Sequence, residues 1–308
     1  MSYSMLVVSQ RPLFLRSDPT YATLKHKPWG GHRLAALRGL EHDPKSPYGE
    51  SWEFSTLAHQ ESLYQGQPLR QYLGHPLPFL AKLIDTANFL SIQVHPGDTQ
   101  DVPGKEEAWL ILDAAPDAFV YAGLKSGVNK AMLEDATTLA LADPRQQMQL
   151  LDLLEKIPVE AGSIVLLAAR TVHAIGQGIL LAEIQQARDC TLRLFDYGRN
   201  RPLQTQEALR IIDPTARPIL WTPRETTTVL TGKHIHLEIA RPGTLRYPAH
   251  SSERLLVPLL GTSTIMALDP VTPQTHDKLS PGELVLSTGS AFQVEVSEHA
   301  VLVVGSVT

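Results

Sequence analysis

The chain has 308 residues, 43% of them hydrophobic and 19% charged, which is typical of a globular protein that can bury a large core. The formal net charge is −5 and no run of lysine and arginine is dense, so the composition argues against a nucleic-acid-binding protein. Because Cys190 is the only cysteine, an internal disulfide framework and a cysteine-rich zinc site are excluded.

At the N-terminus, the apolar run at residues 5–8 is shorter than the core of a signal peptide. No uninterrupted apolar stretch reaches the roughly 20 residues that a membrane-spanning helix needs. We therefore expect a cytoplasmic protein that binds neither a membrane nor a nucleic acid.

Short apolar runs separated by turn residues follow one another along most of the chain. Such runs predict strands, and many short strands with frequent turns indicate a sandwich or a barrel. We therefore expect an all-β-dominated fold. The runs lie at residues 110–112, 119–121, 164–167, 179–181, 226–230, 235–239, 255–260, 284–286, 292–296 and 300–304.

Helical patterns are confined to a few segments. The spacing of leucines between residues 129 and 157 predicts two helices. The second of them begins at Asp143-Pro144, an N-cap residue followed by proline at the first helical position. A further helix is predicted over residues 205–212.

Two segments of the sequence are similar to each other. Residues 159–166 and residues 279–286 each combine a glycine-containing turn with a following strand. Two related barrels are therefore expected, joined by the proline-containing segment 217–224. We predict a first domain over residues 1–222, with a helical insertion at about 129–157, and a second domain over residues 223–308.

Gln93 and His95 are two residues apart in a short apolar run that ends at Pro96-Gly97. In a strand, residues i and i+2 point to the same face, so the amide oxygen and the imidazole nitrogen can converge on a metal ion. A histidine in a strand is, however, more often an ordinary interior or surface residue. Ligation therefore depends on further ligands elsewhere in the chain.

Two later segments supply such candidates. Glu107 begins an apolar strand, and the adjacent Glu106 would point to the opposite face. His173 lies in an apolar strand that precedes a glycine turn. Each has an ordinary alternative: Glu107 as a solvated acid at a strand end, and His173 as a buried histidine bonded to the backbone.

Together these segments resemble the type I mannose-6-phosphate isomerases, a metal-dependent family of the cupin superfamily. The similarity extends in the same order from about residue 25 to about residue 200. It implies two cupin-type jelly-roll β-barrels with a small helical insertion, the second barrel being degenerate. The matching segments are residues 27–31, 49–55, 79–85, 90–98, 104–112, 171–178, 183–186 and 191–196.

The resemblance implies roles for individual residues. Arg193 would stabilise an enediolate or an anionic substrate group, and Glu183 would orient Arg193 or move a proton. Glu183 and Lys105 are both candidates for the carbon base. Lys82 and Ser91 would hold the sugar phosphate. The metal ligands would be Gln93, His95, Glu107 and His173.

The implied reaction interconverts mannose 6-phosphate and fructose 6-phosphate through a cis-enediol. The cofactor would be one divalent metal ion, with Zn²⁺ favoured by the ligand types and manganese and cobalt left open. The partner would be a small-molecule sugar phosphate, and the oligomeric state is not predicted. Two alternatives are a non-catalytic cupin that binds a metal or a sugar phosphate, and another cupin enzyme such as a metal oxygenase.

The sequence departs from the family pattern at two places. Residues 168–171 read Ala-Ala-Arg-Thr where the family usually has Pro-Ala-Gly-Thr, so Arg170 would have to adopt the conformation of a glycine. Leu192 takes the place of an aromatic residue that commonly precedes the arginine. Both changes leave the implied ligands intact and bear on local geometry.

Overall fold

The computed structural model describes residues 14–17, 23–268 and 276–308. Strands dominate these residues, so the predicted all-β-dominated fold is confirmed. The apolar run at residues 5–8 lies outside the described residues. No helix in the described part of the chain is both long enough and apolar enough to cross a membrane.

The strands of the first half of the chain are short, as the frequent turns predict. They are β1 (Phe14–Arg16), β2 (Leu24–Gly31), β3 (Tyr48–Phe54), β4 (Leu63–Tyr64), β5 (Gln67–Pro68), β6 (Phe79–Asp85), β7 (Ile92–Val94), β8 (Glu107–Ala114), β9 (Phe119–Leu124), β10 (Leu154–Pro158), β11 (Ile164–Leu167), β12 (His173–Ile175), β13 (Ile179–Gln186) and β14 (Leu192–Phe195).

The remaining strands are β15 (Ile219–Trp221), β16 (Val229–Thr231), β17 (Ile235–Ala240), β18 (Gly243–Tyr247), β19 (Arg254–Leu260), β20 (Ser263–Ala267), β21 (His276–Leu279), β22 (Val285–Ser287), β23 (Phe292–Val296) and β24 (Val301–Val307). The helices are α1 (Arg33–Leu37), α2 (Leu69–Leu73), α3 (Lys130–Ala142), α4 (Gln147–Leu151) and α5 (Thr205–Ile211).

Within the described residues, the larger sheets form two pairs, and every neighbouring pair of strands is antiparallel. The first barrel consists of a seven-stranded sheet, ordered β15-β11-β8-β13-β6-β3-β2, and a five-stranded sheet, ordered β10-β9-β12-β7-β14. The second barrel consists of a six-stranded sheet, ordered β1-β22-β19-β24-β17-β16, and a four-stranded sheet, ordered β18-β23-β20-β21.

These sheets stack as layers, each joined to the next by an apolar cluster. Helices α3, α4 and α5 pack on the five-stranded sheet, and the inner face of that sheet packs on the seven-stranded sheet around Trp109 and Ile175. The outer face of the seven-stranded sheet packs on the second barrel, where Leu110 and Ile184 share a cluster with Leu237. The seven-stranded sheet is thus buried on both faces.

The two similar segments of the sequence form the same type of turn. Gly162 before β11 and Gly282 before β22 have φ values of 91° and 92°. In both turns a backbone N–H donates to the carbonyl three residues earlier: Ser163 N to Glu160 O at 3.0 Å, and Glu283 N to Ser280 O at 3.1 Å. This combination defines a type II turn, in which glycine is favoured at the third position.

The predicted helical insertion is only partly right. Helix α3 begins where the Asn129 side chain accepts the Met132 N–H at 3.0 Å. Asp143 accepts the Arg145 N–H at 3.0 Å and caps a short 3₁₀ turn over Pro144–Gln146, after which α4 follows.

The prediction of helix to residue 157 is wrong, because β10 is a strand that pairs with β9. A short apolar run at this spacing does not distinguish a buried strand from a helix, and here the free hydrogen-bonding edge of β9 decides between them.

The division into residues 1–222 and 223–308 remains a proposal. At the junction, β15 pairs with β11 of the first barrel, whereas β16 pairs with β17 of the second. At the other end of the chain, β1 pairs with β22, so this N-terminal strand lies in the second barrel.

Candidate active site

Two cross-strand rows of side chains lie on the facing sheets of the first barrel. In the five-stranded sheet, Gln93 pairs in register with His173 on one side and with Arg193 on the other. In the seven-stranded sheet, Glu183 pairs in register with Lys82 and with Trp109. The strand pairing therefore assembles residues from six strands around one interior space.

Three of the predicted metal ligands meet between these sheets. The ligand atoms of His95, Glu107 and His173 all lie within 4.8 Å of one another, and all three side chains are buried. His95 Nε2 is 3.2 Å from Glu107 Oε2, and His173 Nε2 is 3.4 Å from Glu107 Oε1. Among the described residues, this is the one group of three or more His, Cys, Asp or Glu side chains with such spacing.

Backbone carbonyls orient both imidazole rings. His95 Nδ1 donates to Cys190 O at 2.8 Å, and His173 Nδ1 donates to Thr171 O at 2.8 Å. Each bond places the proton on Nδ1 and leaves the Nε2 lone pair directed into the site, as metal-binding histidines require.

Burial keeps both rings neutral. Burial and the nearby Lys105 ammonium lower the pKa of His95 to about 3, although Glu107 opposes the shift. Burial also lowers the pKa of His173, again against the effect of Glu107. A neutral imidazole is the form that binds a metal ion, so both rings are ready to bind at neutral pH.

Lys105, two residues before β8 begins, and Glu107, the first residue of β8, point to the same side, as predicted. Lys105 Nζ donates to Glu107 Oε2 at 2.7 Å and to His95 Nε2 at 2.8 Å. Burial would raise the pKa of Glu107, but the Lys105 ammonium outweighs it and holds that pKa well below its usual value.

The donor set fits a divalent ion. Glu107 Oε1 is buried and has no hydrogen-bond partner among the described residues. A carboxylate with an unused buried oxygen, next to two neutral imidazoles, is a set of ligands that Zn²⁺ prefers. The cluster also already surrounds a cationic group, the Lys105 ammonium. These observations agree with the metal site implied by the sequence.

Gln93 adjoins this cluster through its side-chain amide. Its Nε2 lies 3.2 Å from His173 Nε2, and its Oε1 accepts the Ser91 hydroxyl at 3.0 Å. A half-turn of the amide would exchange its oxygen and nitrogen, and the Ser91 hydroxyl could then accept from Nε2 because a hydroxyl both donates and accepts. Ser91 can therefore support Gln93 as an oxygen ligand.

Lys82 and Glu183 form a buried ion pair. Lys82 Nζ donates to Glu183 Oε1 at 3.0 Å and to Gln185 Oε1 at 2.6 Å. Burial would lower the pKa of Lys82, but Glu183 and Glu50 outweigh it and raise that pKa. The ammonium has three N–H donors, so one remains for a ligand.

Glu183 is held by partners other than the one predicted. Its Oε2 accepts the Trp109 Nε1–H at 3.2 Å, and its Oε1 is bound by Lys82. The expectation that Glu183 orients Arg193 is therefore corrected, since Lys82 and Trp109 stand directly opposite it on the neighbouring strands.

A cavity lies between the two sheets beside the metal cluster, and its lining includes Lys82, Gln93, Lys105, Glu183 and Arg193. Arg193 contributes an unused hydrogen-bond donor to it. Its Nε is buried and has no hydrogen-bond partner among the described residues. A buried guanidinium donor beside a cavity suits an anionic ligand. The preceding Leu192 is buried in the apolar cluster beneath the helices. Its side chain, which is smaller than the aromatic residue common in the family, therefore faces away from the cavity.

The cavity includes residues to which the sequence assigned no role. Glu50 is bound by Lys27 at 3.0 Å and by the Trp52 Nε1–H at 2.9 Å. Burial would raise its pKa, but Lys82 and Lys27 outweigh it and hold the pKa at about 2. Lys27, Glu50 and Trp52 all lie in segments that matched the family, and that match was the available signal.

The chain is similar in sequence to known mannose-6-phosphate isomerases. No family model matches the chain. The mannose-6-phosphate isomerase of Streptococcus mutans is 31% identical over 228 residues, covering 65% of this chain and 67% of that protein. The chain belongs to the mannose-6-phosphate isomerase family.

Solved structures of that family share the fold. The mannose 6-phosphate isomerase of Bacillus subtilis has a TM-score of 0.71 at 20% identity, with 96% of this chain and 100% of that chain covered. A zinc-bound mannose 6-phosphate isomerase has a TM-score of 0.67 at 15% identity, with coverage of 96% and 100%. The predicted pair of cupin-type barrels is confirmed by this likeness over both halves of the chain.

Proposed function

We propose that this member of the mannose-6-phosphate isomerase family interconverts mannose 6-phosphate and fructose 6-phosphate with one bound Zn²⁺. The observation that carries the proposal is the His95, Glu107 and His173 cluster. Lys105 and Gln93 contact this cluster and also line a cavity together with Arg193 and Glu183. The 31% identity to a mannose-6-phosphate isomerase over 65% of this chain supports mannose 6-phosphate as the substrate.

Gln93, His95, Glu107 and His173 would hold the ion. When bound, the ion supplies positive charge that polarises the oxygens at C1 and C2 of the sugar. The Zn²⁺ assignment rests on the imidazole and carboxylate donors, and on the zinc-bound relative that has the same fold.

Isomerisation moves one proton between C1 and C2 through a cis-enediol. Glu183 and Lys105 are the candidate groups for moving that proton, because both line the cavity. Arg193 stabilises the negative charge that develops on the oxygens, because its buried Nε–H has no other partner among the described residues. Ser91 and the third N–H of Lys82 would hold the sugar phosphate, because both residues line the cavity.

A coupled assay with mannose 6-phosphate tests the proposal on metal-stripped protein and on the same protein after zinc is restored. We expect turnover only with zinc. No turnover in either state would overturn the isomerase proposal.

In deuterated water, a proton carried by a protein group exchanges with solvent, so the product should carry deuterium. Glu183→Gln and Lys105→Met then identify the base, since the variant that lacks it loses both turnover and deuterium incorporation.

The alternative of a non-catalytic binding protein has less support. Such a protein needs the metal ligands but no groups for proton transfer, yet Lys105, Glu183 and Arg193 all line the cavity. Zinc binding together with mannose 6-phosphate binding, but without product formation, would favour that alternative.

A further inference from the structure

Glu106 lies directly before β8, between Lys105 and Glu107, and its side chain points away from theirs. Glu106 is 3% exposed, and its carboxylate contacts the loop of the second barrel that leads into β17. Oε1 accepts the backbone N–H of Lys233 at 2.8 Å, and Oε2 accepts those of His234 at 2.6 Å and Ile235 at 2.9 Å. Three donors from one loop of the second barrel therefore converge on this side chain.

The same loop reaches a second point of the first barrel. Lys233 Nζ and His234 Nε2 donate to Asp98 Oδ2 at 2.5 Å and 2.9 Å. Asp98 Oδ1 accepts the Gly104 N–H at 2.7 Å and the Gln186 amide at 3.1 Å. Asp98 thus ties the loop that joins His95 to Lys105 to the second barrel.

The chain that leads into β8 connects these contacts to the site. Its successive side chains point to opposite sides, as in a strand, so Lys105 and Glu107 face the metal cluster while Glu106 faces the second barrel. The backbone of Glu106 is bound as well, with its N–H donating to Gln186 Oε1 at 2.9 Å and its carbonyl accepting the Gln186 N–H at 3.1 Å. A displacement of Glu106 would displace both of its neighbours.

We propose that Glu106 is a positioning residue, through which the second barrel holds Lys105 and Glu107 in place for metal binding and catalysis. The inference rests on the metal site of the proposed function. It gives the second barrel, which among the described residues has no metal cluster of its own, a role in the activity of the first.

The first test replaces the carboxylate by its neutral isostere, Glu106→Gln. An amide offers one oxygen to three N–H donors, and its NH₂ group would face one of them. We expect the zinc dissociation constant, measured by competition with a chromogenic chelator, to rise about tenfold or more, as for other residues that orient metal ligands. At saturating zinc, we expect kcat to fall about tenfold with little change in KM, since Glu106 does not contact the cavity.

Asp85→Asn is the matched control. Asp85 is as deeply buried, at 1% exposure, and also lies on a site-bearing strand. Its carboxylate binds Arg33 of the same barrel, with Arg33 N at 2.7 Å and Arg33 Nε at 2.6 Å. We expect this variant to lose stability while its zinc affinity and kcat stay unchanged. Equal effects of Glu106→Gln and Asp85→Asn on zinc affinity would overturn the proposal.

Gly232→Ala tests the contact from the other barrel. A Cβ at Gly232 would meet the Glu106 carboxylate, with Cδ only 2.7 Å away. We expect Gly232→Ala to weaken zinc binding in the wild-type chain. Added to Glu106→Ala, it should cause no further loss, because the carboxylate that the new Cβ would displace is then absent. Additive effects of the two substitutions would overturn the proposal. If Glu106→Ala does not fold, Glu106→Asp, whose carboxylate is withdrawn by one methylene, takes its place.

The zinc titration needs no substrate. A loss of zinc affinity in a protein that does not turn over mannose 6-phosphate would therefore support the positioning role and overturn only the isomerase proposal. If the protein is an active isomerase but its zinc affinity does not change in Glu106→Gln, the isomerase proposal is supported and the positioning role is overturned.

Discussion

The neighbouring residues Glu106 and Glu107, at the start of β8, have different roles because successive side chains of an extended chain point to opposite sides. Glu107 joins the two histidines, whereas Glu106 is bound by backbone N–H groups of the second barrel. At Glu183, the cross-strand neighbours Lys82 and Trp109 decide which partners the carboxylate has. The chemistry of a carboxylate in this protein thus depends on its strand position and on the strands beside it.

Removal of one imidazole should eliminate the metal. We expect His173→Ala to lose bound zinc, because two protein ligands with an amide hold the ion far less tightly than the full set. Metal content measured after dialysis checks this. His236→Ala, which changes a histidine of the second barrel bonded to Thr231, should keep the metal. Retention of zinc by His173→Ala would contradict the assigned ligand set.

Arg193 should matter for catalysis and not for metal content. We expect Arg193→Ala to lower kcat by about 10²- to 10³-fold, because the variant lacks a charged donor that stabilises the developing oxyanion. Kinetics of the zinc-loaded variant measure this effect. Exposed Arg210→Ala should behave as wild type. Loss of zinc from Arg193→Ala would mean that its role is structural.

At the level of elements, the turn before β12 accommodates a departure from the family pattern. Arg170 adopts a φ of 72°, the left-handed region that favours glycine. Its backbone N–H donates to His95 O at 2.8 Å, and its Nε donates to Ile211 O at 2.8 Å. The arginine therefore takes the glycine conformation and adds a bond to the last residue of α5.

A β-branched residue should be tolerated poorly at this position. Arg170→Val and Arg170→Ala both lose the bond to Ile211, but only valine carries a branched Cβ into positive φ. We expect Arg170→Val to have a free energy of unfolding lower than that of Arg170→Ala by about 1 kcal/mol or more. Denaturant titration of the two variants measures the difference. Equal stability would show that the backbone relaxes out of this conformation.

At the level of the whole molecule, the two barrels share both an apolar core and a polar junction. Leu110 and Leu237 lie in one apolar cluster between the sheets. The junction adds the Asp98 and His234 pair, in which His234 Nδ1 also contacts Thr308 O at 2.8 Å. The hydrogen bond to Asp98 raises the pKa of His234, against a smaller effect of burial and of Lys233.

This junction predicts a pH-dependent stability. Because the pKa of His234 is raised on folding, its stabilisation is present below about pH 6.5 and is lost as the pH rises through the folded value. We expect His234→Gln to lower the Tm relative to wild type at about pH 5.5, and less so at about pH 8.5. The pair lies at the surface and is partly exposed to solvent, so its contribution stays below about 1 kcal/mol.

Thermal unfolding of the two proteins at both pH values measures this difference. Lys233 is the other cation on Asp98, and its pairing persists in the variant. A Tm difference that does not change with pH would contradict the ion pair.

The sequence by itself determined the strand-rich architecture, the order of the matching segments and the residues proposed as ligands. These features depend on local alternation and on residue types at short spacing, as for Gln93 and His95, and such information lies within a few neighbouring residues. The strand nature of residues 154–158 was missed because it depends on pairing with β9, a distant strand.

Only the tertiary structure decided which charged groups meet. Glu183 binds Lys82, and Glu106 binds a loop 127–129 residues away, because antiparallel pairing and sheet stacking bring these segments together. The free energy of such contacts depends on burial and on cross-strand register, which no local pattern of residues encodes. For the same reason, the second barrel's part in the site emerges only from the folded chain.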